Sequence, residues 1–164
     1  MNPISHLLTG WVAANTADLT TRDRVVVTLA GVAPDIDGLG IVAEILTEHT
    51  TSPLLWYSKY HHVWCHNLGF GLLLTVTAVL FGVRRLMTAF LTLVVFHLHL
   101  LGDLVGSRGP DGYQWPIPYL YPFSDQWKLV WAGQWELNAW PNILITALLL
   151  AATVYIFRKK GRIF

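Results

Sequence analysis

The sequence of 164 residues has little charge and almost no cysteine. Asp, Glu, Lys and Arg make up 13% of the residues, about half of their share in an average soluble domain. So little charge excludes a disordered chain, and a net charge of +1 gives no general attraction for nucleic acid. The single cysteine, Cys65, excludes an intrachain disulfide and a zinc site built from several thiolates.

Hydrophobic residues, by contrast, make up 54% of the sequence and are concentrated in runs. A helix that crosses a bilayer core needs about 20 apolar residues. Three almost uncharged runs come near that length, at 67–83, 86–103 and 139–157, and two shorter ones precede them at 4–17 and 25–33. These runs therefore predict that residues 1–164 form a single all-α, membrane-embedded domain. We expect a helical bundle of three main transmembrane helices and two shorter N-terminal helices.

The basic residues are divided unevenly between the two ends of this predicted bundle. If the turns at 22–24 and 84–85 and the tail after Phe157 lie on one side, that side holds eight of the eleven basic residues. The positive-inside rule then predicts a multi-pass protein with this side, and the C-terminus, in the cytoplasm. The N-terminus has no basic region of the kind that precedes a cleaved signal peptide. The eight residues are Arg22, Arg24, Arg84, Arg85, Arg158, Lys159, Lys160 and Arg162.

Histidines and aspartates are found at the opposite, outer ends of the predicted helices. An ionisable group within an apolar run is costly unless it is paired or bound. His99 and Asp103 are spaced i, i+4 and share one helix face, whereas His97 lies on another face. Hydropathy and the basic residues alone set this topology, yet it brings all these groups to one side of the membrane. The candidate ligands are His6, Asp35, Asp37, His61, His62, His66, His99 and Asp103.

Several carboxylates and imidazoles at one place repel each other or remain unpaired unless a counter-ion is present, and a divalent metal would supply one. Ligands of His and Asp without a thiolate suit zinc first, with manganese or iron as alternatives, and their number allows one or two ions. The spacing leaves open whether His61 or His62 is the ligand. Simpler interpretations also exist, because residues 35–38 are typical of a turn and His99 with Asp103 is typical of a hydrogen bond that locks a bundle.

At these residues the sequence resembles the LexA-regulated, membrane-bound metal-dependent hydrolase family of bacterial inner-membrane proteins. The family pattern is an early His, then Pro-Asp-x-Asp, then His-Arg-x-x-Thr-His-Ser, then His-x-x-x-Asp. These elements fall here on His6, on residues 34–37 (PDID), on 61–67 (HHVWCHN) and on 99–103 (HLLGD). The sequence departs from the pattern at three positions, where His62 replaces the arginine, Cys65 the threonine and Asn67 the serine.

The resemblance implies a metal-dependent hydrolase in a bacterial inner membrane, and the positive-inside rule predicts that its site lies on the outer, periplasmic face. The His-x-x-x-Asp element is similar to that of zinc-dependent phospholipases C, which implies a membrane lipid or another small phosphoester as substrate. In this hypothesis Asp35 or Asp37 acts as a base. Arg108, the outer cation nearest to Asp103 in the sequence, holds a phosphate oxygen. The alternatives are a metal-binding membrane protein without hydrolysis and a structural bundle locked by its His and Asp residues.

Residues 104–139 form an outer, aromatic-rich segment. Five of the eight tryptophans lie between Trp115 and Trp140. Ser124 or Asp125 could cap a short helix, and the residues at 127, 131 and 135 would then form one tryptophan stripe. Such a stripe is typical of an interfacial belt. The alternative is a lid or a lipid-binding wall over the metal site.

Overall fold

The computed structural model describes residues 1–161, and these are helical apart from loops and two isolated β-bridges. The all-α prediction is therefore confirmed for the described part of the chain. A 3-10 segment, Ala33–Leu39, lies between the second and third helices. The helices are α1 (Pro3–Thr16), α2 (Thr21–Ala30), α3 (Gly40–Thr47), α4 (Trp56–Tyr60), α5 (Leu68–Phe81), α6 (Arg85–Gly106) and α7 (Trp140–Lys160).

Two of these helices, α6 and α7, are long and apolar enough to cross a membrane. A third candidate among the described residues is α2 together with the segment Ala33–Thr47, a pair bent by 49° at its break. The prediction of a main transmembrane helix at 67–83 is wrong in its length. Asn67 caps α5 by accepting a hydrogen bond from the Phe70 N–H, and the chain leaves the helix at Gly82. The 14 residues of α5 span about 21 Å, which is less than the roughly 30 Å of a bilayer core.

Close contact between α1 and α2 places the start of the 3-10 segment beside the N-terminal half of α1. A Cβ atom on Gly10 would lie 2.6 Å from the Thr28 carbonyl oxygen, and one on Gly31 would lie 2.5 Å from the His6 carbonyl oxygen. Larger side chains would therefore separate the two backbones. This packing brings the Gly31 carbonyl into the interior, where it meets α6.

The basic turns lie together at one end of the bundle. The buried carboxylate of Asp23, at the start of α2, accepts hydrogen bonds from the backbone N–H of Val83 at 2.7 Å and of Arg84 at 3.2 Å. The Lys160 ammonium donates to the carbonyl oxygen of Asn15, so the end of α7 meets the end of α1. Arg162, one of the eight basic residues, lies outside the described residues.

The outer segment between α6 and α7 differs from its prediction. Residues 107–139 contain no helix, so the expected short helix capped by Ser124 or Asp125 is wrong. Instead the backbone of Ile117 pairs with that of Leu129 in both directions, at 3.0 and 2.9 Å. The Ile117 side chain is fully buried in a cluster with Phe96 of α6. This long-range pairing keeps the chain extended at Leu129, where a helix carrying Trp127 and Trp131 would have to run.

Candidate metal centre

The carboxylate of Asp103 lies at the centre of a ring of histidines. Its Oδ1 atom is 3.0 Å from Nε2 of His6, and its Oδ2 atom is 3.0 Å from Nε2 of His99. The same Oδ2 atom is 3.3 Å from Nε2 of His66 and 3.8 Å from Nε2 of His62. Asp103 is only 1% exposed. Four imidazoles from α1, α6 and the turn before α5 thus surround one buried carboxylate.

Two of these rings are fixed by hydrogen bonds from their other nitrogen. The Nδ1–H group of His99 donates to the Gly31 carbonyl oxygen at 2.8 Å, and Nδ1 of His66 lies 3.2 Å from Oδ2 of Asp37. A ring that donates through Nδ1 turns the Nε2 lone pair inward, which is how metal-ligating histidines are usually oriented. Both rings therefore present Nε2 to Asp103.

Asp37 faces its histidines rather than the centre of the cluster. Its Oδ1 atom is 2.8 Å from Nδ1 of His61, and its Oδ2 atom accepts a hydrogen bond from the Cys65 N–H at 3.1 Å in addition to its contact with His66. Both oxygens are thus engaged. In this arrangement Asp37 holds the 61–66 turn and its rings in place.

The cluster contains two sets of possible ligands that have Asp103 in common. Within each set the candidate ligand atoms lie within 4.8 Å of one another. His61 belongs to neither set, whereas His62 belongs to one. The first set is His6, Asp35, His99 and Asp103, and the second is His62, His66 and Asp103.

Buried atoms without a hydrogen-bond partner test whether a metal fits here. Among the described residues they include Oδ2 of Asp103, Oδ2 of Asp35 and Nδ1 of both His6 and His62. A buried polar atom without a partner costs roughly 1–3 kcal/mol. Imidazole nitrogens and carboxylate oxygens are the ligands that zinc, manganese and iron accept. The donor set and its unpartnered oxygens therefore fit a divalent ion.

The turn that carries His62 has an unusual backbone. His62 has a φ of 65°, in the left-handed region that costs a non-glycine residue about 1 kcal/mol or more. This conformation directs the buried His62 ring toward Asp103, while the neighbouring His61 ring stacks on Tyr57 at 4.6 Å. Sequence spacing alone leaves open which of the two histidines is the candidate ligand, because neither helical nor strand periodicity describes such a turn.

A cavity of about 690 Å³ leads to the cluster from outside. This volume is in the range of small-molecule sites. Asp35, His61, His62 and Arg108 line it, and Trp115 lies 5.3 Å from the His62 ring, centroid to centroid. The Arg108 guanidinium is 3.5 Å from Oε1 of Glu136, so the predicted phosphate-binding residue lines the cavity as part of an ion pair.

The neighbouring groups of the 61–66 turn have shifted pKa values. Burial lowers the pKa of His66, but the neighbouring carboxylates of Asp103 and Asp37 outweigh burial and raise the pKa to about 9. Burial holds the pKa of His62 well below its ordinary value. Burial raises the pKa of the Cys65 thiol to about 11, so this cysteine stays a neutral thiol at physiological pH.

Other residues of the site carry no motif in the sequence. Trp115 and Tyr57 cover the histidines, Gln134 donates to the Asp103 carbonyl oxygen at 2.8 Å, and the amino group of Met1 contacts Oδ1 of Asp103. Only the general enrichment of aromatics in the outer segment hinted at Trp115. His97 lies outside the cluster, since its Nε2 atom is 2.9 Å from the Tyr119 hydroxyl.

Comparison with known proteins gives one family match. Residues 1–163 match the family described as YdjM inner membrane protein. No curated protein and no solved structure matches the chain. The family description names a membrane location and no reaction.

Proposed function

We propose that this chain, which belongs to the YdjM inner membrane protein family, is a metal-dependent hydrolase of phosphoesters. The proposal needs two parts, a metal centre and a cavity that admits a substrate. Asp103 supports the first part, and the cavity that Arg108 and Asp35 line supports the second.

The single observation that carries the proposal is the position of Asp103. The Met1 ammonium pairs with Oδ1. Oδ2, in contrast, has no hydrogen-bond partner although it is buried among the Nε2 atoms of three imidazoles, and an oxygen in such a position is costly without a cation of its own. Two ligands of one tetrahedral zinc ion, each about 2.0–2.1 Å from it, are about 3.3 Å apart. The distances from Oδ2 to the Nε2 atoms of His99 and His66, 3.0 and 3.3 Å, are close to that separation.

Two ions fit the ligand sets better than one. Each set takes a different group of histidines, and only Asp103 belongs to both. Asp103, the member common to both sets, would help to hold either ion, since its oxygens face His6, His66 and His99. Zinc is the first candidate, and manganese and iron are the alternatives.

An ion bound there would act as a Lewis acid on a phosphoryl oxygen and lower the pKa of a water molecule. Asp35 lines the cavity and keeps one oxygen without a hydrogen-bond partner, so it is placed to accept the proton of the attacking water. The water oxygen would bond to phosphorus and the ester P–O bond would break, and the leaving alcohol oxygen would take the proton that Asp35 had accepted. Arg108 would bind a phosphate oxygen in place of the Glu136 carboxylate, with which it now pairs. Asp37, engaged on both oxygens, would act as a positioning residue.

We place this site at the periplasmic face, with the C-terminus in the cytoplasm. The His and Asp cluster lies near the outer ends of α1 and α6, and the basic turns lie at the other end of the bundle. Supporting this orientation, eight of the eleven Lys and Arg residues fall on the basic side. The substrate would then be a phosphoester at the outer membrane surface, such as a phospholipid head group.

Metal analysis of the purified protein tests the proposal. We expect about one or two ions per chain in the wild type, a large loss in His99→Ala, and retention in His97→Ala, the matched control two residues away on the same helix. Turnover of a phosphodiester should be abolished by a chelator and restored by zinc. If the wild-type protein binds no divalent metal, the proposal is wrong and the His and Asp cluster has only a structural role in the bundle.

A second candidate is a metal-binding protein without hydrolysis. Two of the three positions that depart from the hydrolase pattern have other roles in the structure. Asn67 caps α5, and Cys65 lines an apolar groove rather than the polar cavity. Bound metal without turnover of any phosphodiester would favour this candidate.

A further inference from the structure

An apolar groove of about 500 Å³ lies behind the metal centre, on the other side of the 3-10 segment. Its walls come from that segment, from α3 and α4, and from the turn before α5. The residues that matter here are Leu39, Val42, Leu46, Trp56, Trp64 and Cys65.

We propose that this groove binds one acyl chain of a membrane lipid whose phosphate group enters the polar cavity. This inference rests on the proposed function, because it names the substrate class of the same site. It makes the groove the part of the protein that distinguishes a lipid phosphoester from a water-soluble one.

The first argument is the environment of the groove. Its rim is strongly exposed and apolar: Leu46 is 77% exposed, and Trp56 and Trp64 are about half exposed. In an inner membrane protein such a surface faces lipid, where acyl chains are the most abundant apolar partner. An apolar surface of this kind is expected to be covered, and the bilayer supplies the cover.

The second argument is the continuity between the groove and the cavity. Leu39 lines both of them. Asp37 lines the groove, and its carboxylate binds His61, which lines the cavity. The 3-10 segment and α4 thus contribute residues to both spaces. A molecule with an apolar chain and a polar end can lie across these two elements with each part in matching surroundings.

The third argument is the chemistry on the two sides. The cavity holds Arg108 and the ligands of the proposed metal centre, which suit an anionic phosphate. The groove holds only apolar and aromatic side chains apart from Asp37 and the hydroxyl of Tyr60. A phospholipid combines these two properties, whereas an apolar helix of another protein would leave the cavity unfilled.

Photo-crosslinking tests where the acyl chain binds. The probe is a phosphatidylglycerol with a diazirine near the end of one chain, mixed into phosphatidylethanolamine vesicles that contain the full-length protein. We expect adducts concentrated on α3 and α4. Val42→Trp should fill the groove and reduce these adducts several-fold. Val76→Trp, on α5, is the matched control, because both valines are 53% exposed and only Val42 lines the groove.

Leu46→Trp provides a second groove variant in case Val42→Trp folds poorly. Adducts spread evenly over α5, α6 and α7, or groove adducts unchanged in a folded groove variant, would overturn the proposal. Crosslinks from the groove to a second protein chain in place of lipid would also overturn it.

Chelated protein separates this inference from the proposed function, because crosslinking needs neither metal nor turnover. Groove adducts without any hydrolysis would support the groove while contradicting the hydrolase. If hydrolysis occurs, Val42→Trp should reduce turnover of the phospholipid several-fold and leave turnover of a soluble phosphodiester and the metal content unchanged. Equal loss for both substrates would overturn the groove proposal and leave the hydrolase intact.

Discussion

The Nε2 atoms of His66 and His99 lie 3.1 Å apart in the buried centre. Each ring already engages its Nδ1 atom elsewhere, His99 with the Gly31 carbonyl and His66 with Asp37. Two lone pairs at this distance repel each other, so either a proton or a metal ion has to lie between or beside them. Protons and metal therefore compete for the same atoms.

Metal affinity should rise with pH. The pKa of His66 is raised to about 9, so below that pH the His66 ring of the metal-free protein is protonated on both nitrogens. Asp37, Asp103 and His99 surround this ring. Zinc can bind Nε2 only after the proton on that atom has left. If one proton is released on binding, the zinc affinity should become about tenfold stronger for each pH unit of increase below the pKa. Calorimetric zinc titrations between about pH 6 and pH 8, in buffers with different ionisation enthalpies, measure both quantities. A pH-independent affinity without proton release would show that His66 is not a ligand.

Asp37→Asn should weaken metal binding although Asp37 faces away from the centre. The substitution removes the anionic acceptor of both His61 and His66 and leaves their Nε2 atoms less well oriented. Loss of such a supporting carboxylate typically weakens metal affinity 10–100-fold, and we expect a loss of roughly that size in Asp37→Asn. Asp125→Asn, an exposed acid of the outer segment, is the control. Equal zinc affinity in both variants would contradict the positioning role of Asp37.

The sequence was informative where local rules decide the structure. The i, i+4 spacing of His99 and Asp103 follows from helix geometry, and both now lie on the buried face of α6. The order of hydrophobic runs was enough to place His6 and Asp103 at the same end of the bundle, 97 residues apart in the chain.

Long-range contacts and special backbone conformations decided the rest. The extended conformation at Leu129 depends on its pairing with Ile117, which overrides a helix-like pattern of tryptophans. The position of the His62 ring near Asp103 depends on a backbone conformation with positive φ, which neither helical nor strand periodicity predicts. The short length of α5 depends on both of its ends, the cap at Asn67, which is the first residue of the apolar run, and the departure of the chain from the helix at Gly82.

Arg108→Gln should impair substrate binding and leave the metal content unchanged. Arg108 lines the cavity but belongs to neither ligand set. Loss of a charge-assisted hydrogen bond to phosphate costs about 1.5–3 kcal/mol, which corresponds to roughly a 10–100-fold higher KM for a phosphodiester. Arg108→Lys should recover part of this loss, and Lys128→Gln, an exposed cation of the outer segment, serves as the control. An unchanged KM in Arg108→Gln would remove this residue from the site.

Asp23→Asn should destabilise the fold at the basic end. The buried Asp23 carboxylate accepts hydrogen bonds from Val83 and Arg84 and closes a capping box with Thr20. An asparagine keeps one acceptor oxygen and loses the charge, so the free energy of unfolding should fall by about 2 kcal/mol. Asp18→Asn is the control, because Asp18 is 83% exposed and pairs with Arg84 at the surface. Denaturation in mixed micelles compares the two, and equal stabilities would mean that Asp23 does not hold the α5–α6 turn.

A reporter fused after Phe164 should be active only in the cytoplasm. The hydrogen bonds from Arg84 to Asp23 and from Lys160 to Asn15 join the basic ends of α1, α2, α6 and α7, so one orientation has to hold for all of them. Eight of the eleven Lys and Arg residues then fall on the cytoplasmic side. Fusions to alkaline phosphatase and to a fluorescent protein report the two sides of the membrane.

As an independent check, Asp111→Cys in a Cys65→Ala background should react with a membrane-impermeant maleimide added to spheroplasts, since Asp111 is exposed beside the cavity. A periplasmic C-terminus together with a protected Cys at 111 would invert the bundle and place the metal centre, and any lipid that it hydrolyses, at the cytoplasmic leaflet.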